Sequence, residues 1–444
     1  KQKKLHLRWG GGRHSWGERM ITFWKHGVSS SVGPASEDTA HERLQFFLDE
    51  KLPFYDKKQS NADVRESDAR FASPVSTLSP FLRWGQISAN SVYWAVKDTQ
   101  SNQDRPVSKA DVKSFVRRLY WRDLAYFQLM TFPHMVRDPI RTHYNNHPWP
   151  NADNTTLLRR WQRGQTGFPM VDAAMRELWY TGWMPQSLRM LVASFLVEYL
   201  GISWKEGHAW FHETLVDQDT AINAMMWQNG GRSGIDQWNF VSDPLSRSPD
   251  PGFHYVRRWV PELAGLPDRF LHAPWRAPES VLLDARVSLG RTYPHRAIDD
   301  LDRARTETLI ALRDMRAGPR GLMQEGVHVD EDGYDLVRVG DAHVRVFTRR
   351  EFRKKSLTAA AGQGGESKAT ATMVTTPTPQ NKRKARKKKQ KRPELTAEQQ
   401  KKKLQKKKAR ELHAKFKQKT RGRINGSNRQ LTREALRDDD AFRY

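Results

Sequence analysis

The chain has 444 residues and a formal net charge of +26, with 76 Lys and Arg against 50 Asp and Glu. Residues 351–444 hold 29 of those cations and only 9 of the acids, so the basic balance describes a tail more than a body. Cysteine is absent, which excludes disulfides, thiolate metal sites and iron–sulfur clusters. No run of about 18 apolar residues occurs, and the first residues, KQKKLHLRWGGGRHSWG, lack a signal-peptide pattern, so a soluble protein without a membrane role is expected. A first residue of Lys rather than Met is compatible with a fragment of a longer protein.

In chain order, residues 1–32 are rich in Gly, Ser and basic side chains with little periodicity, and read as a linker or truncated N-terminal region. Helical signals dominate residues 33–316, without an alternating strand pattern, and an all-α fold is expected there. Within it, residues 112–130 place Val112, Phe115, Val116, Leu119, Tyr120, Leu124 and Phe127 on one stripe. Residues 187–200 repeat Leu188, Leu191, Val192, Phe195, Leu196 and Tyr199 at helical spacing, with Gly201 positioned to end the helix. Residues 317–355 read as a domain end and connector. Residues 356–380 have few large apolar side chains and are expected to be a flexible linker. The basic tail follows at 381–444; Thr396 to Gln399 fits a capping box ahead of a single basic helix reaching about residue 418.

Three segments carry chemistry. In DQDTAINAMMWQN, residues 217–229, Asp219, Asn223 and Trp227 lie four apart and would stack a carboxylate, an amide and an indole on one face of an otherwise apolar helix. A buried polar stripe needs partners, and a ligand is one candidate. In VSTLSPFLRW, Ser79 before Pro80 has the order of an N-cap and a first helical residue, and the preceding hydroxyls suit a diphosphate. Arg189 sits in the first turn of an apolar helix, where it opposes the helix dipole and demands a carboxylate. Thirteen of the 16 Trp lie between Trp84 and Trp275, and most should be ordinary packing residues.

The motifs WQRGQTGFPMVDAAMREL, TGWMPQSLRM, LVDQDTAINAMMWQ and YVRRWVPEL together resemble the helical FAD-binding domain of the photolyase/cryptochrome family over about residues 33–316. The resemblance implies that FAD is held by Tyr55, by Val75, Ser76, Thr77, Leu78 and Ser79 at its phosphates, and by Phe115, Arg122, Gln186, Arg189, Asp217, Asp219 and Asn223. Val75 replaces a usual Thr. Asp217 is the implied partner of Arg189, and Asn223 falls opposite the flavin N5, where plant cryptochromes carry Asp and animal ones Cys, so that Asn223 looks photolyase-like. Trp227, Trp204 and Trp149 match the family's electron-transfer tryptophans. No metal site is expected, and the α/β antenna domain with which family members normally begin is missing from this chain.

The same resemblance frames the choice between signalling and repair. Around the implied mouth of the pocket, Arg118 stands where cyclobutane-dimer photolyases have Glu, and Asn229 where they have a lesion-stacking Trp. Trp121 is retained. Gln186 and Met190 occupy the two histidine positions of (6-4) photolyases. The pattern implies a plant-like or algal cryptochrome, a blue-light photoreceptor with a signalling partner, rather than a DNA photolyase. The run NKRKARKKKQKR, residues 381–392, is of the kind that serves nuclear import or binding to the phosphate backbone of DNA, which leaves a tail-driven nucleic-acid-binding protein as a third reading.

Overall fold

The computed structural model describes residues 36–63, 72–101, 107–235, 241–317, 334–339 and 341–346. The basic tail with its expected helix, the flexible linker and residues 1–35 lie outside the described residues. The described part is built almost entirely of helices, as expected for an all-α domain: α1 (Glu37–Phe46), α2 (Ser79–Trp84), α3 (Ala89–Ser101), α4 (Lys109–Thr131), α5 (Thr155–Gln162), α6 (Pro169–Thr181), α7 (Gln186–Ser194), α8 (Trp204–Thr214), α9 (Thr220–Gly230), α10 (His254–Trp259) and α11 (Leu301–Ala317), with shorter turns between them.

Capping follows the sequence. Ser36, Ser108, Asn154, Ser203 and Asp219 each accept a backbone N–H of the helix they precede, which offsets the unsatisfied donors of a first turn. After α7 the chain widens into a π-helical turn over Phe195–Tyr199, and Gly201 ends the run at φ +62°, the left-handed conformation that favours glycine. The expected helix over 187–200 is therefore present with a bulge in its second half.

Three apolar clusters hold the helices. The largest joins α5, α6, α7, α8, α9 and α10 and includes Trp161, Phe168, Phe195, Trp204, Phe211, Trp227 and Tyr255. A second packs α1 and α2 against α3 and α4 through Phe47, Tyr55, Phe81, Val92 and Phe115. The third lies behind α9, where Ala221, Ala224 and Met225 meet Phe132, Met135, Ile140, Val337 and Val346.

Two expectations need correction here. The α4 stripe is buried only in its first half: Val112, Phe115, Val116 and Leu119 are inside, but Tyr120, Leu124 and Phe127 are 58%, 41% and 67% exposed. The connector expected at 317–355 contains an antiparallel hairpin, Leu336–Val339 (β1) with Ala342–Arg345 (β2). Its anchor is Asp335, fully buried against Arg141, with His143 Nε2 at 3.7 Å.

Candidate functional site

α9 is the spine of the site. Asp219 is its N-cap, with Oδ1 accepting from Ala221 N and Ile222 N at 3.1 Å each. From that start the helix carries Asn223 and Trp227 down the same face. The other wall comes from α7, α8 and the 215–218 turn. The cleft between them opens to solvent and is lined by Gln186, Arg189, Phe211, Asp217, Asn223, Trp227 and their neighbours, Ile222 and Met226 among them.

The polar groups are held firmly. Arg189 donates Nη2 to Asp217 Oδ2 at 2.8 Å and Nε to Met184 O at 2.8 Å. Asp217 Oδ1 is buried and has no hydrogen-bond partner. A buried carboxylate oxygen left open costs roughly 1–3 kcal/mol, so it marks a place for a donor from a ligand. Asp219 Oδ2 accepts Tyr126 Oη at 2.7 Å and lies 3.3 Å from Arg122 Nη1. Burial first, then the bond to Asp219, raises the Tyr126 pKa, so the phenol stays a donor. Asn223 donates Nδ2 to His208 O at 3.2 Å, which fixes the amide at the cleft.

Trp227 and Trp204 hold α8 and α9 together by a reciprocal arrangement. The Trp227 indole fills the space where a Gly207 side chain would be, and the Trp204 indole fills that of Gly231. Gly207 follows Trp204 by three residues and Gly231 follows Trp227 by four, so each helix offers a ring and a gap on one face. Both indoles are 2% exposed. Trp149 is half-buried, packs at the edge of the same cluster, and meets His147 edge to face at 4.2 Å between ring centroids.

Of the residues expected to hold FAD, Gln186, Arg189, Asp217, Asp219 and Asn223 line the cleft with Trp227. Arg122 reaches it through Asp219. Tyr55 and Phe115 do not: they pack on each other at 5.4 Å inside the second cluster, Tyr55 only 7% exposed. Val75, Ser76, Thr77, Leu78 and Ser79 stand beside the cleft without lining it. Trp183 Nε1 donates to Ser79 Oγ at 3.1 Å, and Trp84 Nε1 donates to Val216 O at 3.0 Å, which ties this loop to the 215–218 turn. Ser79 is the first residue of α2 and not its cap; Leu78 holds the cap position with no side-chain bond. Ser76 Oγ instead accepts from Leu78 N at 3.3 Å, and Thr77 takes φ +55°.

At the expected mouth, Arg118 is exposed and donates to Gln59 Oε1 at 2.8 Å, Trp121 is half-buried against the third cluster, and Met190 is half-buried. Asn229 is not at a mouth. It is 1% exposed beneath the turn closed by Gly234 N donating to Gln228 O at 2.8 Å. Among residues the sequence did not single out, Tyr126 orients Asp219, His208 holds Asn223, and Gly207 admits Trp227. Their signals were present as spacing: Tyr126 lies four after Arg122, His208 four after Trp204, and Gly207 is a lone glycine in an otherwise unbroken helix. The groups of three or more His, Asp and Glu that would hold a metal do not occur among the described residues, and no described helix is long and apolar enough to cross a membrane.

The cleft thus combines the Arg189–Asp217 ion pair and one unpartnered carboxylate oxygen with apolar walls, in a mostly helical frame. Residues 115–314 match the family model for the FAD-binding domain of DNA photolyase. The chain is 36% identical over 286 residues to the deoxyribodipyrimidine photo-lyase of Agrobacterium fabrum, covering 64% of this chain and 57% of that protein. It is 33% identical over 293 residues to cryptochrome-1 of Arabidopsis thaliana, covering 64% and 41%. Among solved structures, a class III photolyase from Agrobacterium tumefaciens superposes with a TM-score of 0.60 at 32% identity, over 69% of this chain and 60% of that one. A Synechocystis cryptochrome gives 0.55 at 29%, over 62% and 56%. The shared region is the FAD-binding domain of the photolyase/cryptochrome family, and the chain spans about half the length of the curated relatives it matches. The cofactor of that domain is FAD.

For that group Arg189, Asp217, Asp219 and Asn223 would supply polar contacts, and Phe211, Ile222 and Met226 apolar walls.

Proposed function

We propose that this protein is a blue-light photoreceptor in which Trp227, Trp204 and Trp149 pass an electron to FAD. FAD bound in the cleft would absorb blue light and, when excited, take an electron from a neighbouring donor. The observation that carries the reading is the position of Trp227: its indole lines the cleft, and the same ring is wedged onto α8, the helix that begins at Trp204. Trp204 and Trp149 continue through the same apolar cluster toward the surface. Burial of Trp227 and Trp204 excludes water from the route, and the packing against Gly207 and Gly231 fixes both rings. Asn223 lines the same cleft one helical turn before Trp227, and its amide could donate to or accept from a flavin held there.

Side-chain identities at the positions implied by the family resemblance support signalling over repair. Asn229 is buried and offers no stacking surface, Arg118 is engaged with Gln59, and Gln186 and Met190 are not histidines. A DNA photolyase remains the second reading, supported by the similarity to the Agrobacterium enzyme and by Trp121, one residue before the Arg122 that binds Asp219. The two separate experimentally: blue light acting on protein with fully reduced flavin restores ultraviolet-damaged oligonucleotides only in the second case. For the basic run at 381–392 we propose nuclear import or contact with nucleic-acid phosphates, testable by deleting residues 378–444 and measuring salt-dependent DNA binding in the dark.

A further inference from the structure

Tyr126 meets the wall of the cleft from its outer side. Its Oη donates to Asp219 Oδ2 at 2.7 Å, and Asp219 in turn lines the cleft. The Tyr126 residue is 43% exposed, whereas Trp227 on the inner wall is 2% exposed. Orienting Asp219 does not by itself require a phenol. Arg122 Nη1 already lies 3.3 Å from the same oxygen, and Asp219 Oδ1 is fixed by the two backbone N–H groups it caps. What the phenol adds is an oxidisable ring whose proton already points at an acceptor.

We propose that Tyr126 is a redox-active residue, a second electron donor to a light-excited flavin in the cleft, with Asp219 as the acceptor of its proton. The inference rests on the reading of the cleft as a site of flavin photoreduction, and it is independent of the tryptophan chain. The oxidant is the excited isoalloxazine, which takes one electron from the phenol ring. The Oη–H bond breaks, and the proton moves along the existing hydrogen bond to form an O–H bond at Asp219 Oδ2. Tyr126 ends as a neutral radical and Asp219 as a carboxylic acid, with the flavin one electron richer. An electron from a soluble reductant, which the exposed ring can meet, then restores the phenol as the proton returns from Asp219.

The surroundings decide that electron and proton leave together. Burial, then the bond to Asp219, raise the Tyr126 pKa, so the resting phenol holds its proton. Arg122 lies over the ring, 5.5 Å from its centroid, and Arg83 is the second cation that faces the phenol. Like charges so close repel, which disfavours a positively charged ring and leaves transfer to Asp219 as the way out. Protonating Asp219 strands Arg122 without its counter-charge, and Tyr126 stands behind Asp219 instead of lining the cleft. Its oxidation is therefore slower than that of Trp227, whose indole is part of the wall.

The test compares Trp227→Phe, Tyr126→Phe and the double variant in the full chain at equal bound FAD under blue light. Trp227→Phe should keep a slow phase of photoreduction with a tyrosyl signal in electron paramagnetic resonance, and heavy water should slow that phase. The double variant should lose the signal and most of the phase. A purely structural Tyr126 would change FAD content without giving a tyrosyl signal or an isotope effect. Should the double variant fail to hold FAD, the flavin-free full chain oxidised by a flash-excited ruthenium complex carries the test: a hydrogen-bonded tyrosyl radical should form in the wild type and be lost in Tyr126→Phe. The same signal in the presence and absence of Tyr126, or a slow phase indifferent to heavy water, overturns the Tyr126 assignment while leaving the photoreduction reading intact. Absence of any light-driven flavin reduction in the wild type overturns both together.

Discussion

The Trp227 indole occupies the side-chain space of Gly207, so that a Cβ at residue 207 would overlap the ring. A glycine inside a helix ordinarily costs about 1 kcal/mol relative to alanine; here the alanine would displace an indole that forms a wall of the flavin cleft. Gly207→Ala should therefore destabilise the protein, by about 1–3 kcal/mol, and slow flavin photoreduction. Thermal melting with FAD and stopped illumination check both. A more stable variant with unchanged photoreduction would contradict the packing.

Arg189 and Asp217 make a second prediction. Breaking an ion pair whose carboxylate is buried costs roughly 3–5 kcal/mol when one charge is stranded, discounted here because the Arg189 side chain is 20% exposed. Arg189→Ala should lower the urea midpoint and the FAD content of purified protein, and Asp217→Asn should lower FAD content with a smaller loss of stability, because no charge is left unpaired in the apolar wall. Flavin absorbance per polypeptide and denaturant titration report the two effects.

How much of this arrangement was readable in the sequence depends on how local its cause is. The stripe of Asp219, Asn223 and Trp227 was legible because helical spacing alone puts the three on one face, and Arg189 demanded a carboxylate by its charge. The family resemblance named Asp217 as that partner. Ser79 was misread because a side-chain cap and a first helical residue have the same local pattern, and the choice was made by Trp183, 104 residues away. Tyr120, Leu124 and Phe127 continue the helical repeat but stay exposed. The burial of Asn229 depends on the turn after α9, and the hairpin anchor depends on Arg141 meeting Asp335 across 194 positions. Contacts that distant leave no periodic mark.

That hairpin supplies a third prediction. Arg141 and Asp335 are both fully buried, and the pair holds β1 and β2 beside the third apolar cluster, behind α9. Asp335→Ala should release the hairpin, with a loss of stability on the order of 3–5 kcal/mol. Hydrogen exchange in residues 334–346 should rise sharply, while exchange in α8 changes little. Uniform protection of the hairpin in the variant would show that the apolar contacts of Val337 and Val346 suffice.

Acid should weaken the fold through two histidines. Burial lowers the pKa of His147 from 6.5 to about 4, and burial with the neighbouring His212 does the same to His208. Both are neutral in the folded protein, whereas the unfolded chain takes up their protons below about pH 6.5. Their contribution is thus fully present above 6.5 and is lost as the pH falls toward about 4. The melting temperature should drop across that window, and the drop should be shallower in His208→Phe. An identical pH profile in the variant would remove His208 from the cause.

The most direct measurement is photoreduction of bound FAD under blue light, with an external reductant, in wild type and Trp227→Phe. The ring change preserves apolar filling beside Gly207 while removing the oxidisable indole at the cleft. Flavin content should be nearly unchanged, and the fast phase of photoreduction should disappear. Full retention of the fast phase in a variant that binds FAD normally would contradict the assignment of Trp227 as the donor at the head of the chain.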